Sequence, residues 1–240
     1  MIRTFKDPEA VSRAAADLFV ELAAEAVAAR GRFRVALSGG RTPLRTYQLL
    51  AEPPRRERTP WPQIDVFWGD ERCVPLDDDR SNAGTASRML LTRVPVMSGS
   101  VHPMRCDADA QAGAAEYEAL LRSLFETVPV FDLIFLGLGQ DGHTASLFPH
   151  NPVLSETVRW AAAVHVDGQS PSRVTLTPPV INAARVAAFV VIGREKGAIL
   201  RSVLQGPPDP RRLPAQLIRP HGGRLIWLTD EAAAAELGKR

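Results

Sequence analysis

The sequence contains little cysteine and carries little net charge. Two cysteines, Cys73 and Cys106, occur in 240 residues, too few for a disulfide framework and without the spacing of a zinc knuckle. We therefore expect both to stay reduced in a reducing compartment, with Cys73 packed as a small hydrophobic side chain. The 29 Lys and Arg residues nearly balance the 27 Asp and Glu residues, for a formal charge of +2. This balance argues against nucleic acid as a partner, because that affinity depends on a strongly basic surface.

Long apolar runs are also absent. The longest covers residues 186–192, whereas a membrane-spanning helix needs about 20 apolar residues. The first residues contain no apolar segment of the kind found in secretory signal peptides. We expect a cytoplasmic protein without membrane contact, folded as a single α/β domain over residues 1–240. Its oligomeric state is left open between a monomer and a weak homodimer.

Apolar strands and amphipathic helices follow one another along the chain. Asp7, Pro8 and Gly31 predict the N-cap, the first position and the end of one long helix. Proline and charge in residues 52–62 predict an exposed connection. Further helices are predicted near residues 43–50, from 81 or 82, and over 107–126, 195–204 and 230–237. Strands are predicted over residues 33–37, 64–68, 131–137, 159–166, 173–177, 186–193 and 224–229. Because these strands are continuously apolar, they indicate a mainly parallel sheet covered by helices.

Four polar clusters follow predicted strands: Ser38-Gly39-Gly40, Gly69-Asp70-Glu71-Arg72, residues 139–143, and Gly193-Arg194-Glu195-Lys196. Ligands of open parallel sheets bind beyond the carboxyl ends of the strands, so we expect these clusters to form one site.

Gly39 and Gly40 have two interpretations. Their backbone can approach an anion closely, or the turn simply needs a positive φ. The sequence alone leaves both open.

His143 is the candidate general base, since a neutral imidazole accepts a proton near pH 7. Asp141, two residues earlier, is placed to orient that ring or to act as a base itself. The alternative for His143 is a cap on a short helix that follows. Residues 137–142 also match G-x-G-x-x-G, but prolines cut short the helix that a dinucleotide site requires.

Cationic side chains supply candidate phosphate ligands. Arg72 and Arg173 each offer a guanidinium fork suited to bidentate phosphate binding. A structural salt bridge from Arg72 to Asp70 or Glu71 is the competing interpretation. Lys196 is one of three lysines in the chain, and a solvated surface position is its alternative.

Other chemistries lack their motifs. No G-x-S-x-G, H-E-x-x-H or C-x-x-C pattern occurs. A trio of His143, His150 and Asp70 has no known metal-ligand spacing, so we expect no metal and no cofactor.

The motifs together resemble the glucosamine-6-phosphate isomerase/6-phosphogluconolactonase family, and its lactonase branch in particular. The resemblance covers nearly the whole chain. It is carried by residues 37–43 (LSGGRTP), 68–72 (WGDER) with Ser81-Asn82, 137–149 (GLGQDGHTASLFP), 173–177 (RVTLT) and 193–196 (GREK).

The resemblance implies a Rossmann-like three-layer α/β/α sandwich. It also implies that the enzyme opens 6-phospho-D-glucono-1,5-lactone to 6-phosphogluconate in the pentose phosphate pathway, without metal or nucleotide. His143 and Asp141 would activate water, Gly39, Gly40 and Arg72 would stabilise negative charge, and Arg173 and Lys196 would hold the phosphate. Ser38 and Asp70 complete the expected binding residues.

Two alternatives remain beside the lactonase. A deaminase or isomerase would use Asp70 or Asp141 to move a proton, but Phe148 stands where the deaminases carry a glutamate. A catalytically silent sugar-phosphate-binding regulator is the other. Many relatives have a basic residue where this chain has Leu44, which leaves open whether Arg41, Arg45 or Arg194 reaches the ligand.

Overall fold

The computed structural model describes residues 1–166 and 168–238. Its strands are β1 (Ile2–Phe5), β2 (Phe33–Leu37), β3 (Ile64–Trp68), β4 (Asp70–Arg72), β5 (Leu133–Leu136), β6 (Ala161–Val166), β7 (Gln169–Leu176), β8 (Val186–Val191) and β9 (Arg224–Asp230). Its helices are α1 (Pro8–Arg30), α2 (Leu44–Leu50), α3 (Arg55–Arg58), α4 (Asn82–Met89), α5 (Ala110–Leu124), α6 (Pro178–Asn182), α7 (Gly197–Gln205) and α8 (Glu231–Ala234).

Six strands form a central sheet in the order β1-β9-β8-β5-β2-β3. Every neighbouring pair in this sheet is parallel. From β2 the chain runs outward to β3 and then returns to place β5 on the other side of β2. The boundary between β2 and β5 is therefore a topological switch point, where the loops leaving the two strands diverge and open a crevice.

The central sheet is covered by helices on both faces. Successive residues of β5 point to opposite sides: Leu133 and Phe135 join the core that contains α1, α2 and α4 residues. Ile134 and Leu136 join the core that contains α5, α6 and α7 residues. This arrangement explains why the strands are apolar on both faces, and it confirms the predicted α/β sandwich with a mainly parallel sheet.

The first long helix follows its local sequence signals. Asp7 caps α1 by accepting a hydrogen bond from the Ala10 N–H at 2.8 Å. Gly31 ends the helix with φ at 75°, and its N–H donates to the Val27 carbonyl at 2.8 Å. These are the N-cap and C-cap chemistries that the sequence predicted.

A second, antiparallel sheet of order β4-β7-β6 lies beside the first. The sequence does not predict β4, because three residues are too few for a periodicity signal. The segments of β6 and β7 were expected in the main sheet. In the structure β7 pairs with β4, with Arg72 opposite Arg173, and β6 pairs with β7.

The predicted exposed connection at residues 52–62 is only partly correct. It contains α3, whose residues are not buried, but Trp61 is 1% exposed. The Trp61 ring lies 5.7 Å from the ring of Phe19 on α1. Trp61 is therefore buried by a tertiary contact with a helix that is distant in sequence, although its polar neighbours in the chain predict exposure.

The prediction for the cysteines is wrong. Cys73 and Cys106 form a disulfide, with Cα atoms 4.7 Å apart and a sequence separation of 33 positions. The bond joins the segment after β4 to the segment before α5. Sequence spacing carried no signal for this pairing, because only the fold brings the two segments together.

Within the described residues, no helix is long and apolar enough to cross a bilayer.

Candidate active site

A pocket of about 550 Å³ opens at the carboxyl ends of the central strands, at the switch point between β2 and β5. All of the site residues predicted from the sequence line it: Ser38, Gly39, Gly40, Asp70, Arg72, Asp141, His143, Arg173 and Lys196. The strand-end clusters therefore do converge.

The pocket lining also includes residues that were not predicted as site residues from the sequence, among them Thr42, Asn82, Gln140 and Phe148. Asn82 had a usable signal, since it stands in the Ser81-Asn82 element of the family pattern. Phe148 was noted only as the residue replacing an acid.

His143 and Asp141 form a hydrogen-bonded pair at the mouth of the pocket. Asp141 Oδ1 lies 2.5 Å from His143 Nδ1 and 3.1 Å from the backbone nitrogen of His143. Burial acts to raise the pKa of the Asp141 carboxyl, but the hydrogen bonds from His143 and the favourable electrostatic interaction with that residue outweigh burial and hold this pKa below its usual range. The carboxylate is thus ionised near neutral pH and accepts the hydrogen from Nδ1. Nε2 is left as the nitrogen that can accept a proton.

The loop around this pair requires glycine at position 139. A Cβ on Gly139 would overlap Nδ1 and Cε1 of the His143 ring and approach Asp141 Oδ1. The Gly139 N–H donates to the His143 carbonyl at 2.8 Å, which closes the loop tightly. Residues 144–149 form no helix, so the interpretation of His143 as a helix cap is wrong.

Arg72 and Arg173 lie directly opposite each other on β4 and β7. Like charges in such a pair repel, and this costs stability unless an anion offsets it. Within the described residues, the buried Nε atoms of both side chains have no hydrogen-bond partner. Burial, followed by the charge of Arg72, lowers the pKa of Arg173. Two adjacent guanidinium groups with unused donors are suited to bind an oxyanion with several oxygens.

The proposed salt bridge from Arg72 to Asp70 or Glu71 does not form among the described residues. Arg72 Nη1 donates instead to the Arg80 carbonyl at 2.9 Å. Glu71 is 1% exposed and accepts hydrogen bonds from the backbone N–H groups of Asn82 and Ala83 at 2.7 and 2.8 Å. Burial raises the pKa of Glu71. The Glu71 carboxylate therefore anchors the start of α4 to β4.

Asp70 links three segments of the site. Its Oδ2 accepts a hydrogen bond from the Ser146 hydroxyl at 2.6 Å, which ties the His143 loop to β4. The Asn82 side-chain amide donates to the Asp70 carbonyl at 2.8 Å. Asp70 and Ser146 are both buried, so the link is shielded from water.

The Ser38-Gly39-Gly40 turn needs both of its glycines. Gly40 has φ at 82°, a conformation that other residues rarely adopt. A Cβ on Gly39 would overlap the Asn82 side chain, which lies directly over it. The Tyr47 hydroxyl on α2 donates a hydrogen bond to the Ser38 carbonyl at 2.5 Å, which fixes the start of the turn against that helix.

The structure shows which of the basic residues considered from the sequence reach the pocket. Arg45 is engaged by Glu9 in a bidentate ion pair, at 2.8 and 3.1 Å, and does not line the pocket. Arg41 and Arg194 are exposed and lie outside it. Lys196 lines the pocket from the short 3₁₀ segment that precedes α7. His150 is not among the lining residues, and the described residues contain no metal-ligand cluster.

Comparison with known proteins places the chain in a family. A family model described as glucosamine-6-phosphate isomerases/6-phosphogluconolactonase matches residues 6–227. The chain is 43% identical over 218 residues to a 6-phosphogluconolactonase from Synechocystis, covering 89% of this chain and 88% of that relative. It is 38% identical over 242 residues to the human 6-phosphogluconolactonase, covering 98% of this chain and 92% of the human protein.

The structural comparison agrees. A 6-phosphogluconolactonase from Trypanosoma brucei is similar with a TM-score of 0.87 at 30% sequence identity, covering 99% of this chain and 98% of the trypanosomal chain. Because the family model and these relatives match almost the full length, the chain belongs to the glucosamine-6-phosphate isomerase/6-phosphogluconolactonase family.

Proposed function

We propose that this protein is a 6-phosphogluconolactonase that hydrolyses 6-phospho-D-glucono-1,5-lactone to 6-phosphogluconate. The observation that carries the proposal is that one pocket holds both the Asp141–His143 pair and the opposed guanidinium groups of Arg72 and Arg173. A general base and an anion-binding pair are the two requirements for water attack on a phosphorylated lactone. The names of the Synechocystis and human relatives support the same activity.

His143 acts as the general base in this proposal. The Nδ1–H group of His143 donates a hydrogen bond to Asp141, which leaves Nε2 to take a proton from water as the water oxygen attacks C1 of the lactone. The C1 carbonyl becomes a tetrahedral oxyanion. Its collapse breaks the bond between C1 and the ring oxygen, and His143 returns the proton to that oxygen. The first product is an open-chain carboxylic acid, which releases its remaining proton to water and becomes the carboxylate.

Arg72, Arg173 and Lys196 provide the positive charge of the site. The unused Nε donors of the two arginines bind the 6-phosphate, with Lys196 contributing a mobile ammonium. Ser38, Gly39, Gly40 and Asp70 also line the pocket, and the backbone N–H groups of Gly39 and Gly40 stabilise the negative charge that develops at C1. Remote binding of the phosphate holds the ring in position for attack at C1, which lowers the entropic part of the barrier.

The decisive experiment measures hydrolysis of freshly prepared phosphorylated lactone against the uncatalysed background. We expect His143→Ala to lower kcat by roughly 10²–10⁴-fold, the usual contribution of a positioned general base. His221→Ala is the matched control, because His221 is exposed and lies outside the pocket. Wild-type turnover in His143→Ala would remove this residue from the mechanism. Failure of the wild-type protein to exceed the background, or ammonia release from glucosamine 6-phosphate, would contradict the proposed function.

A further inference from the structure

Phe148 lies between the two functional halves of the pocket. Its ring centroid is 4.4 Å from that of the His143 imidazole, at an interplanar angle of 32°. The guanidinium carbon of Arg173 lies 5.1 Å from the same ring centroid. One aromatic side chain therefore contacts both the candidate base and a candidate phosphate ligand.

We propose that Phe148 is a positioning residue that sets the orientation of His143 and of Arg173 together. The inference rests on the proposed function, because it concerns the same site, and it assigns to Phe148 a role in both catalysis and phosphate binding.

His143 needs this support because its other restraints come from its own loop. Asp141 holds Nδ1, but the Asp141 side chain is 46% exposed and lies two residues away in the same loop. A single hydrogen bond allows the imidazole to tilt about that bond. The nearby face of a buried ring restricts the tilt and thereby aims Nε2.

Arg173 needs the ring for an electrostatic reason. Among the described residues its buried Nε lacks a partner, and its neighbour across the strands is the like-charged Arg72. The negative face of an aromatic ring attracts a guanidinium, most strongly where water is excluded. Phe148 thus offsets part of the repulsion between the paired arginines. It does so without occupying their N–H donors, which stay available to a ligand.

The backbone holds the ring firmly. Phe148 is 4% exposed and belongs to the core that covers one face of the central sheet. Ala145 and His150, on either side of it, have positive φ values of 47° and 60°. Such conformations persist in non-glycine residues only where the surrounding structure imposes them. The ring is therefore a fixed support rather than a mobile lid.

The test compares Phe148→Leu with Phe148→Tyr and with a matched control. We expect Phe148→Leu to raise KM for the phosphorylated lactone roughly 3- to 30-fold through the lost cation–π contact. We expect it also to lower kcat roughly 10- to 100-fold through the loosened imidazole. Phe148→Tyr keeps the ring and restores most of both. The control is Phe131→Leu, the same change at a buried phenylalanine whose ring contacts are with Phe67 and Phe125.

Two further readouts separate positioning from loss of stability. In Phe148→Leu combined with Arg173→Ala, KM should be no higher than in Arg173→Ala alone. In the proton NMR spectrum, the His143 ring signals should lose the upfield ring-current shift in Phe148→Leu and keep it in Phe131→Leu. The NMR readout, together with binding of 6-phosphogluconate, does not require turnover. Failure of the proposed lactonase activity is therefore distinguishable from failure of this inference.

The inference is overturned if Phe148→Leu changes melting temperature but matches Phe131→Leu in kcat and KM. It is also overturned if the effects of Phe148→Leu and Arg173→Ala on KM multiply, or if the His143 signals do not move.

Discussion

Asp141 and His143 are the residues whose partnership could be anticipated from the sequence, because they stand two positions apart in one glycine-rich loop. Their hydrogen bond at 2.5 Å depends on local backbone geometry and on the missing side chain of Gly139. The partners Ser146 and Asp70 are 76 residues apart, and no local pattern indicates their contact. Spacing along the chain therefore predicts hydrogen-bonded pairs within a loop, but it does not predict such pairs between separate loops.

The lowered pKa of Asp141 leads to a pH-dependent prediction. Burial acts to raise the pKa of this carboxyl, but its interaction with His143 prevails and lowers the folded-state pKa below its usual range. A depressed carboxyl pKa gives stability that is complete above the unfolded pKa and is lost as pH falls through the folded value. In urea unfolding, the stability difference between wild type and Asp141→Asn should thus be present at pH values above the ordinary aspartate pKa of about 4 and should shrink as the pH falls through the lower pKa of the folded protein.

The control for this titration is Asp77→Asn, a change at an exposed carboxylate outside the pocket. Asp141→Asn should also lower kcat, though by less than His143→Ala, because the imidazole remains. A stability difference that grows as the solution is acidified would contradict the assigned pair.

At the scale of elements, the short strand β4 does more than its three residues suggest. It carries Asp70 and Arg72 into the pocket, and Glu71, on its other face, holds the start of α4. Alternation along a strand separates these roles, since successive side chains point to opposite faces. The polar cluster is recognisable in the sequence but the strand is not, because pairing with β7 is a long-range interaction.

The disulfide between Cys73 and Cys106 secures the end of this strand. A cross-link closing a loop of 33 residues stabilises by about 3–4 kcal/mol in the chain-entropy treatment. We expect the double variant Cys73→Ser with Cys106→Ser to lower the free energy of unfolding by up to that amount. The wild-type protein treated with a phosphine reductant should show the same loss.

Thiol titration of the unreduced, denatured wild-type protein is the companion measurement. We expect this titration to find no free thiol. The cross-link would be contradicted if the titration found two free thiols and the serine variant were as stable as the wild type.

Across the whole molecule, the pocket joins the central sheet to the second sheet. Its lining comes from loops after β2, β3, β5 and β8 and from strands β4 and β7. A ligand that contacts several of these segments links them. Because such a ligand binds only the native state, it must raise the stability of the folded protein. The site is therefore a product of topology as much as of composition.

Ligand stabilisation gives the corresponding prediction. At 100 times its Kd, 6-phosphogluconate should add about 2.7 kcal/mol to the free energy of unfolding. Gluconate at the same concentration should add much less, since it lacks the phosphate. Arg173→Ala and Lys196→Ala should reduce the difference between the two ligands, while Arg194→Ala, an exposed position outside the pocket, should not. Equal stabilisation by both ligands would argue against a phosphate site at Arg173.

Local sequence signals were enough to predict the caps of α1, the buried parallel strands, the glycine turns and the set of polar residues at the strand ends. These features depend on neighbours along the chain and on the periodicity of apolar side chains. Four contacts become visible only in the folded chain: Arg72 lies opposite Arg173, Phe148 contacts both His143 and Arg173, Arg45 pairs with Glu9, and Cys73 is bonded to Cys106. Each of these contacts joins separate segments, and their proximity arises from sheet order and helix packing, which no local pattern encodes.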